Sequence, residues 1–348
     1  MPFKIIRNDI TKVKADAIVN TANPFPVFGD GTDTAIYMAA GMVELLAERE
    51  KIGMIEPGHT EYTPAFQLHA KYIFHTVGPS WVDGKHGERK ILRNCYRSAL
   101  ALADQLSCRS IAFPLLASGS YRFPKDEALQ IALEEIQKFL FDHEMRVMLV
   151  VFDQEAFELS GKLVGQIEEY IDEHSVGRLH YQEYGEWYAD RYVARTVGRT
   201  RLESGTARRE VSRTARTMMP AVPPKPKSLD DVLADAGDTF QQRLFHLIDE
   251  SGMDDVTVYK KANISKALFS KIKCNVDYTP KKQTVIAFAI ALHLDMDATQ
   301  DLLACAGLTL SPSKKFDLII SYFITHHDYD IFKINATLFD YDQPLLGF

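Results

Sequence analysis

The residues of this 348-residue chain best suited to chemistry sit in two glycine-bearing loops. The first lies in IVNTANPFPVFGDGTDTAIYMAAG, where Asn20 and Asn23 end a short apolar run, Gly29 and Gly31 follow, and Asp33 opens a helical pattern. The second lies in FPLLASGSYRFPKDEA, where Ser118, Gly119, Ser120, Tyr121 and Arg122 join another apolar run to a helix start near Pro124. Glycine lets the backbone approach an anion closely, and the N–H groups of a loop and of a helix N-terminus supply donors and a favourable dipole. Two such loops suit the two phosphates of a nucleotide diphosphate. Taken singly, each glycine is better explained by a turn that needs φ > 0, so the weight rests on the combination.

These loops need a scaffold that presents strand ends to a ligand. The pattern predicts strands at 3–6, 17–20, 72–77, 111–115 and 147–152, and helices at 33–40, 88–105, 125–141 and 159–173. Short apolar runs alternating with longer amphipathic stretches indicate an α/β layer fold with a largely parallel or mixed sheet, helices covering both faces. In such sheets ligands bind at the carboxyl ends of the strands, where both loops fall.

Composition bounds the rest. With 46% hydrophobic and 25% charged residues, the chain can build two cored domains joined by a linker. A formal charge of -7 gives no global attraction to nucleic acid or acidic lipid, so such binding would need a local basic cluster. Four scattered cysteines, Cys95, Cys108, Cys274 and Cys305, lack the spacing of a disulfide framework or a zinc site. The start MPFKIIRNDITK has no apolar signal core and no stretch is apolar enough to span a membrane, so a cytoplasmic location is expected. The domain expectation is an α/β unit over 1–176, an Arg-rich and Pro-rich linker over 177–228, and an all-α unit over 229–348. Ser265, Thr279-Pro280 and Asp297 mark helix starts in the last unit, and Gly252 and Gly307 mark helix ends.

Several motifs in register show that the first 175 residues or so resemble the macrodomain family. They are NDIT from Asn8, IVNTAN from Ile18, GDGTDTAIYMAAG from Gly29, YIFHTVGP from Tyr72, PLLASGSYRFP from Pro114 and VVFD from Val150. The resemblance implies a three-layer α/β/α fold that binds ADP-ribose. It implies that Asp9 accepts the adenine amino group beside Ile10, that Phe152 stacks on adenine, and that Gly29, Gly31 and residues Ser118 to Arg122 cradle the diphosphate. It further implies that Asn23 holds the distal ribose and that Asp33 is the acid of the family's hydrolase branch, orienting and deprotonating a water. No metal or cofactor is implied; ADP-ribose is ligand or product. Asp33 could equally cap its helix, Asp9 could be a turn residue, Asn20 reads as a tie for loop backbone, and His75 as a core histidine. Asp30 interrupts the glycine run, Arg122 replaces a glycine of the second loop and Thr21 stands where a small alanine is commoner, which leaves substrate choice open.

The segment DVTVYKKANISKALFSKIKCNVDYTPKKQTVIAFAIAL resembles the helix-turn-helix of phage-repressor type, with helices at 256–262 and 265–273 around a turn at Asn263 and Ile264. Lys261, Lys266, Lys271 and Lys273 would face phosphates, although the reading helix carries no arginine for bidentate base contacts. A protein-interaction role fits the same lysines, and the apolar helices beyond could form a homodimer. The functional alternatives are a hydrolase acting on a mono-ADP-ribosylated macromolecule or O-acetyl-ADP-ribose, and a non-catalytic ADP-ribose sensor coupled to DNA or protein by the helical unit. A third alternative joins the two, the helical unit delivering hydrolysis to a particular target such as ADP-ribosylated nucleic acid.

Overall fold

The computed structural model describes residues 2–152, 159, 161–174 and 237–347. The expected linker at 177–228 and Asp153 of the VVFD motif lie outside the described residues.

The first half is a three-layer α/β/α arrangement around a six-stranded mixed sheet. Its elements in chain order are β1 (Lys4–Arg7), a 3-10 turn (Ile10–Lys12), β2 (Ala17–Thr21), α1 (Thr32–Ala40), α2 (Met42–Ile52), β3 (Thr60–Pro64) and β4 (Tyr72–Thr76). There follow α3 (Glu88–Gln105), β5 (Ser110–Pro114), α4 (Lys125–Asp142), β6 (Arg146–Val151) and α5 (Gly161–His174). The strand order is β1-β6-β5-β2-β4-β3, with every neighbouring pair parallel except β3 with β4.

Alternation along the strands divides the core in two, because successive side chains point to opposite faces. Ala17 and Val19 of β2, Ile111 and Phe113 of β5, and Val147 and Leu149 of β6 face α3 and α4. Ile18, Ala112, Met148 and Val150 face Ile36, Tyr37 and Ala40 of α1 and Leu45 of α2. The strands are therefore apolar on both sides, as a sheet covered by helices requires. β2 and β5 are neighbours, so the two glycine loops leave adjacent strand ends.

The described residues from 237 on are organised as helices: α6 (Phe240–Ser251), α7 (Asp255–Lys261), α8 (Lys266–Lys273), α9 (Lys282–Ala291), α10 (Met296–Ala304), α11 (Lys315–Thr325) and α12 (Ile331–Asp340). Thr239 and Gln242 form a reciprocal capping box on α6, and Ser265 caps α8 as expected. Two caps differ from expectation. The start of α10 is capped by Asp295 rather than Asp297, and α9 begins after Lys281 rather than at Thr279-Pro280.

The two halves share an apolar core rather than merely touching. Phe3 stacks on Phe332 with ring centroids 4.9 Å apart. The side chain of Asn263, 4% exposed, accepts from the backbone N–H of Phe3 at 2.7 Å and donates to its carbonyl at 3.0 Å. One amide side chain thus satisfies both backbone groups at the start of an edge strand, whose bare N–H and C=O would otherwise cost free energy on burial. Lys260 donates to the carbonyl of Phe141 at 2.8 Å, and Tyr259 donates to Glu144 at 2.8 Å. The predicted turn at Asn263 and Ile264 does exist, with Asn263 at φ 54, but its buried residues serve the junction between the halves. Among the described residues, no helix is long and apolar enough to cross a membrane.

Candidate active site

Asp33 lies in the first turn of α1, and its helix is capped at the N-terminus by Gly31, φ 69, not by Asp33. The carboxylate instead turns back toward the loop that precedes it. One oxygen accepts from the backbone N–H of Gly29 at 2.6 Å, and the other from the Asn20 amide at 2.6 Å. At 3% exposed, Asp33 has its carboxyl pushed above the usual range by burial, against the pull of the Asn20 and Gly29 hydrogen bonds and of the Arg49 charge. A carboxylate fixed through both oxygens, and somewhat more basic than in water, is suited to accepting a proton from an attacking water.

Asn20 does not tie up loop backbone. Its amide donates to Asp33 and faces the Nδ1 of His75 at 3.3 Å, and the His75 Nε2 meets the Thr63 hydroxyl at 3.0 Å. His75 is fully buried; burial, and then the Arg49 charge, push its pKa down to about 3, so the imidazole is neutral. It orients Asn20, which orients Asp33. The Asn20 carbonyl oxygen is buried and unpartnered among the described residues.

Asn23 follows β2 and donates to the carbonyl of Val27 at 3.2 Å, which sets it beside Gly29. A Cβ on Gly29 would lie 2.9 Å from the Asn23 amide nitrogen and 3.5 Å from an Asp33 oxygen, so glycine there lets the two functional side chains share one wall. Gly31 and Asp30 are exposed, so the extra carboxylate faces solvent. In the second loop Ser118 donates to the carbonyl of Leu115 at 2.9 Å, and Ala117 and Arg122 hold left-handed conformations at φ 62 and 56. Tyr121 donates to the carbonyl of Ala22 at 3.4 Å and thereby joins the two loops. Gly119, Ser120 and Arg122 are exposed at the rim. No atom lies within 4 Å of a Cβ built on Gly119, so the space over that residue is open.

The remaining expected residues lie on the far side of the same edge. Arg7 of β1 is in register with Val151 of β6, so Asp9 and Phe152 follow neighbouring strand ends. Phe152 is 73% exposed and contributes little to the core. Asp9 accepts from the amide and hydroxyl of Thr11 at 2.9 and 2.7 Å. Burial works to raise its carboxyl, but those bonds and the Lys12 charge outweigh it and hold the pKa below the usual value. Asp9 thus also caps the 3-10 turn, and Ile10, 7% exposed, anchors that turn in the core. In the order β1, β6, β5, β2 the strand ends carry Asp9, Phe152, the second loop, and then Asn23 with Asp33. Three strand spacings of about 4.8 Å make this a span of about 14 Å along the sheet edge.

The lysines of the helical half are mostly engaged. Lys273 pairs with Asp255 at 2.6 Å, Lys271 lies over the Tyr278 ring, Lys261 reaches the sulfur of Met253, and Lys266 is exposed. A residue that sequence reasoning missed is Arg49. Its signal was a charged residue on the same face of α2 as Leu45, four positions earlier.

Residues 19–132 match the family model described as Macro domain. A macro domain-containing protein from Mesorhizobium japonicum is 42% identical over 159 residues, covering 45% of this chain and 90% of the relative. An O-acetyl-ADP-ribose deacetylase from Cronobacter sakazakii is 40% identical over 172 residues, covering 48% of this chain and 96% of the relative. A solved Oceanobacillus iheyensis macrodomain with ADP is 34% identical, with a TM-score of 0.43, covering 47% of this chain and 90% of that one. The family match lies on the α/β half, and through it the chain belongs to the macro domain family.

Proposed function

We propose that the α/β half binds ADP-ribose along the groove formed by the carboxyl ends of β1, β6, β5 and β2 and hydrolyses an ADP-ribosyl linkage. The observation that carries the proposal is the order of groups along that groove: a carboxylate and an exposed aromatic ring, then a loop open above Gly119, then an amide beside an anchored carboxylate. Adenine stacks on Phe152 with its amino group toward Asp9 and Ile10, an exposed ring being available to any π-face. The diphosphate lies over Gly29, Gly31 and Ser118 to Arg122, where Arg122 supplies a positive charge at the rim. Asn23 holds the distal ribose hydroxyls, and Asp33 aligns and deprotonates the water that attacks the linkage at that ribose. The substrate is O-acetyl-ADP-ribose or a mono-ADP-ribosylated macromolecule; the relative from Cronobacter sakazakii is named for the first.

The test is release of ADP-ribose from a panel comprising O-acetyl-ADP-ribose, ADP-ribosylated protein and ADP-ribosylated nucleic acid, beside Asp33→Ala. Turnover of at least one member that collapses in Asp33→Ala, with ADP-ribose binding kept, is expected. Equal turnover in the two proteins removes Asp33 from the mechanism. Binding without any turnover leaves the sensor reading.

For the helical half we propose a targeting role, with the division of the chain at 176 and 229 as part of that reading. The observation in its favour is that α7 and α8 flank a tight turn while α8 keeps Lys266, Ser270 and Lys271 exposed. A DNA affinity that falls with added salt and with Lys266→Glu supports phosphate contact. Salt-insensitive or absent binding points to a protein partner.

A further inference from the structure

A buried cation without a carboxylate is expensive, and one stands behind the proposed active site. Arg49 on α2 is 1% exposed, and among the described residues no carboxylate lies within 4.0 Å of its guanidinium. It donates instead to three carbonyls: to Asn23 and Pro24 at 3.1 Å each, and to Gly53. The first two belong to the loop that carries Asn23, and the third to the residue that ends α2. The fork geometry of a guanidinium suits this; an ammonium cannot reach three diverging acceptors in the same way.

We infer that Arg49 is a positioning residue for the hydrolytic site: its three-carbonyl tie holds the loop in which Asn23 and Asp33 share the wall at Gly29, and it fixes a buried positive charge against that loop. The inference rests on the hydrolase reading above for its consequence in turnover, but not for its electrostatic part. The charge acts across the core, since Asp33, Tyr37 and His75 all respond to it. The groups around Asp33 and Arg49 are few. Tyr37 of α1 and Tyr121 of the second loop are neutral phenols pushed upward by burial and by the Asp33 charge, His75 of β4 is neutral, and the exposed Glu61 of β3 acts on Arg49 only through its charge. With the two phenols and His75 neutral and Glu61 an anion, Arg49 is the cation that acts on the Asp33 carboxylate, beside the Asn20 and Gly29 hydrogen bonds and against burial. Removing a neighbouring cation disfavours an ionised carboxylate, so the Asp33 titration must move to higher pH when Arg49 is neutralised.

The experiment compares the full-length wild type with Arg49→Lys and Arg49→Met. The Asp33 carboxyl is titrated by carbon NMR in the ligand-free protein, and kcat and KM are measured against pH on an ADP-ribosyl ester. In Arg49→Met the Asp33 titration and the acid limb of kcat both move to higher pH, and kcat falls on the order of tenfold or more with a smaller change in KM. In Arg49→Lys the titration stays near its wild-type position while kcat still falls, because the charge remains and the three-carbonyl tie does not. A folded Arg49→Met with an unmoved Asp33 titration overturns the inference. Should that variant not fold, Arg49→Lys decides: a kcat at the wild-type level overturns it. If the wild type turns nothing over while the titration shift is present, the hydrolase reading fails and the electrostatic role of Arg49 stands.

Discussion

Truncating Phe152 to alanine should weaken ligand binding while leaving the fold alone. The ring is 73% exposed beyond the end of β6, so its loss should change stability by about 0.5 kcal/mol or less. Stacking of a base on an aromatic side chain is worth about 1–3 kcal/mol. At about 1.4 kcal/mol per tenfold, the Kd for ADP-ribose should rise by roughly 5- to 150-fold. Calorimetry gives the Kd, and thermal unfolding without ligand verifies that the fold is intact. Gly119→Glu is the companion variant. No atom lies within 4 Å of a Cβ there, so the side chain fits the empty protein, while its carboxylate would meet the diphosphate. It should leave the ligand-free midpoint unchanged and abolish the ligand-induced rise in Tm, which depends on the ratio of ligand concentration to Kd. A Phe152→Ala protein of unchanged Tm that binds ADP-ribose within about twofold of wild type would refute the stacking argument, since stacking losses fall outside that range.

Three further outcomes follow from the structure. Asp33 has a raised pKa in the fold, so the native state binds more protons than the unfolded chain above the usual carboxylate value of 3.8, and stability falls as pH rises through that window. Asp33→Asn loses one of the two accepted hydrogen bonds, and its effect on stability should therefore be less unfavourable at neutral pH than near pH 4; equal effects at both would contradict it. His75 runs the other way: its pKa drops from 6.5 to about 3 on folding, so its neutral burial stabilises fully above 6.5 and is lost as pH falls toward 3. Denaturant midpoints for His75→Gln should show a shallower acid decline than wild type; parallel curves would exclude His75 as a source. Asn263 holds both backbone groups of Phe3 from a left-handed conformation, so Asn263→Gly keeps the turn and deletes the bonds. The loss should be about 1–3 kcal/mol for each group left unpaired, read as a lower Tm. An unchanged Tm would show that water replaces the amide.

The parts legible in the sequence were those with local signals. The range 88–105 for α3 matched because its apolar stripe is strongly periodic, and β5 and β6 because both faces are apolar. α2 was missed because a single residue, Gly41, separates it from α1, so that the two read as one pattern with a fault. β3 was missed because TEYTP is an exposed edge strand ending in proline, with neither an apolar run nor clean alternation. The loop residues of the site were readable from glycine and polar spacing, but the geometry of Asp33 was not. Capping was the simplest use of an acid there, whereas the left-handed Gly31 caps the helix and frees the carboxylate for Gly29 and Asn20. The partners of Arg49 are carbonyls in loops of no regular pattern, and the tie from Asn263 to Phe3 spans 260 positions. No window of sequence contains either pair.

That span has a consequence for how the protein is made. β1 can join β6 once residue 151 has emerged, yet Phe3 must wait for Asn263 and Phe332. At about 5–20 residues per second, ribosomal synthesis takes on the order of 6 to 22 s to go from residue 151 to Asn263 and on the order of 9 to 36 s to reach Phe332. Through that interval the nascent sheet carries an unsealed Phe3 and an apolar flank. A residue at the edge of the sheet is thus secured only by helices made long after it, and a ribosome that stops early releases a half with an open seam.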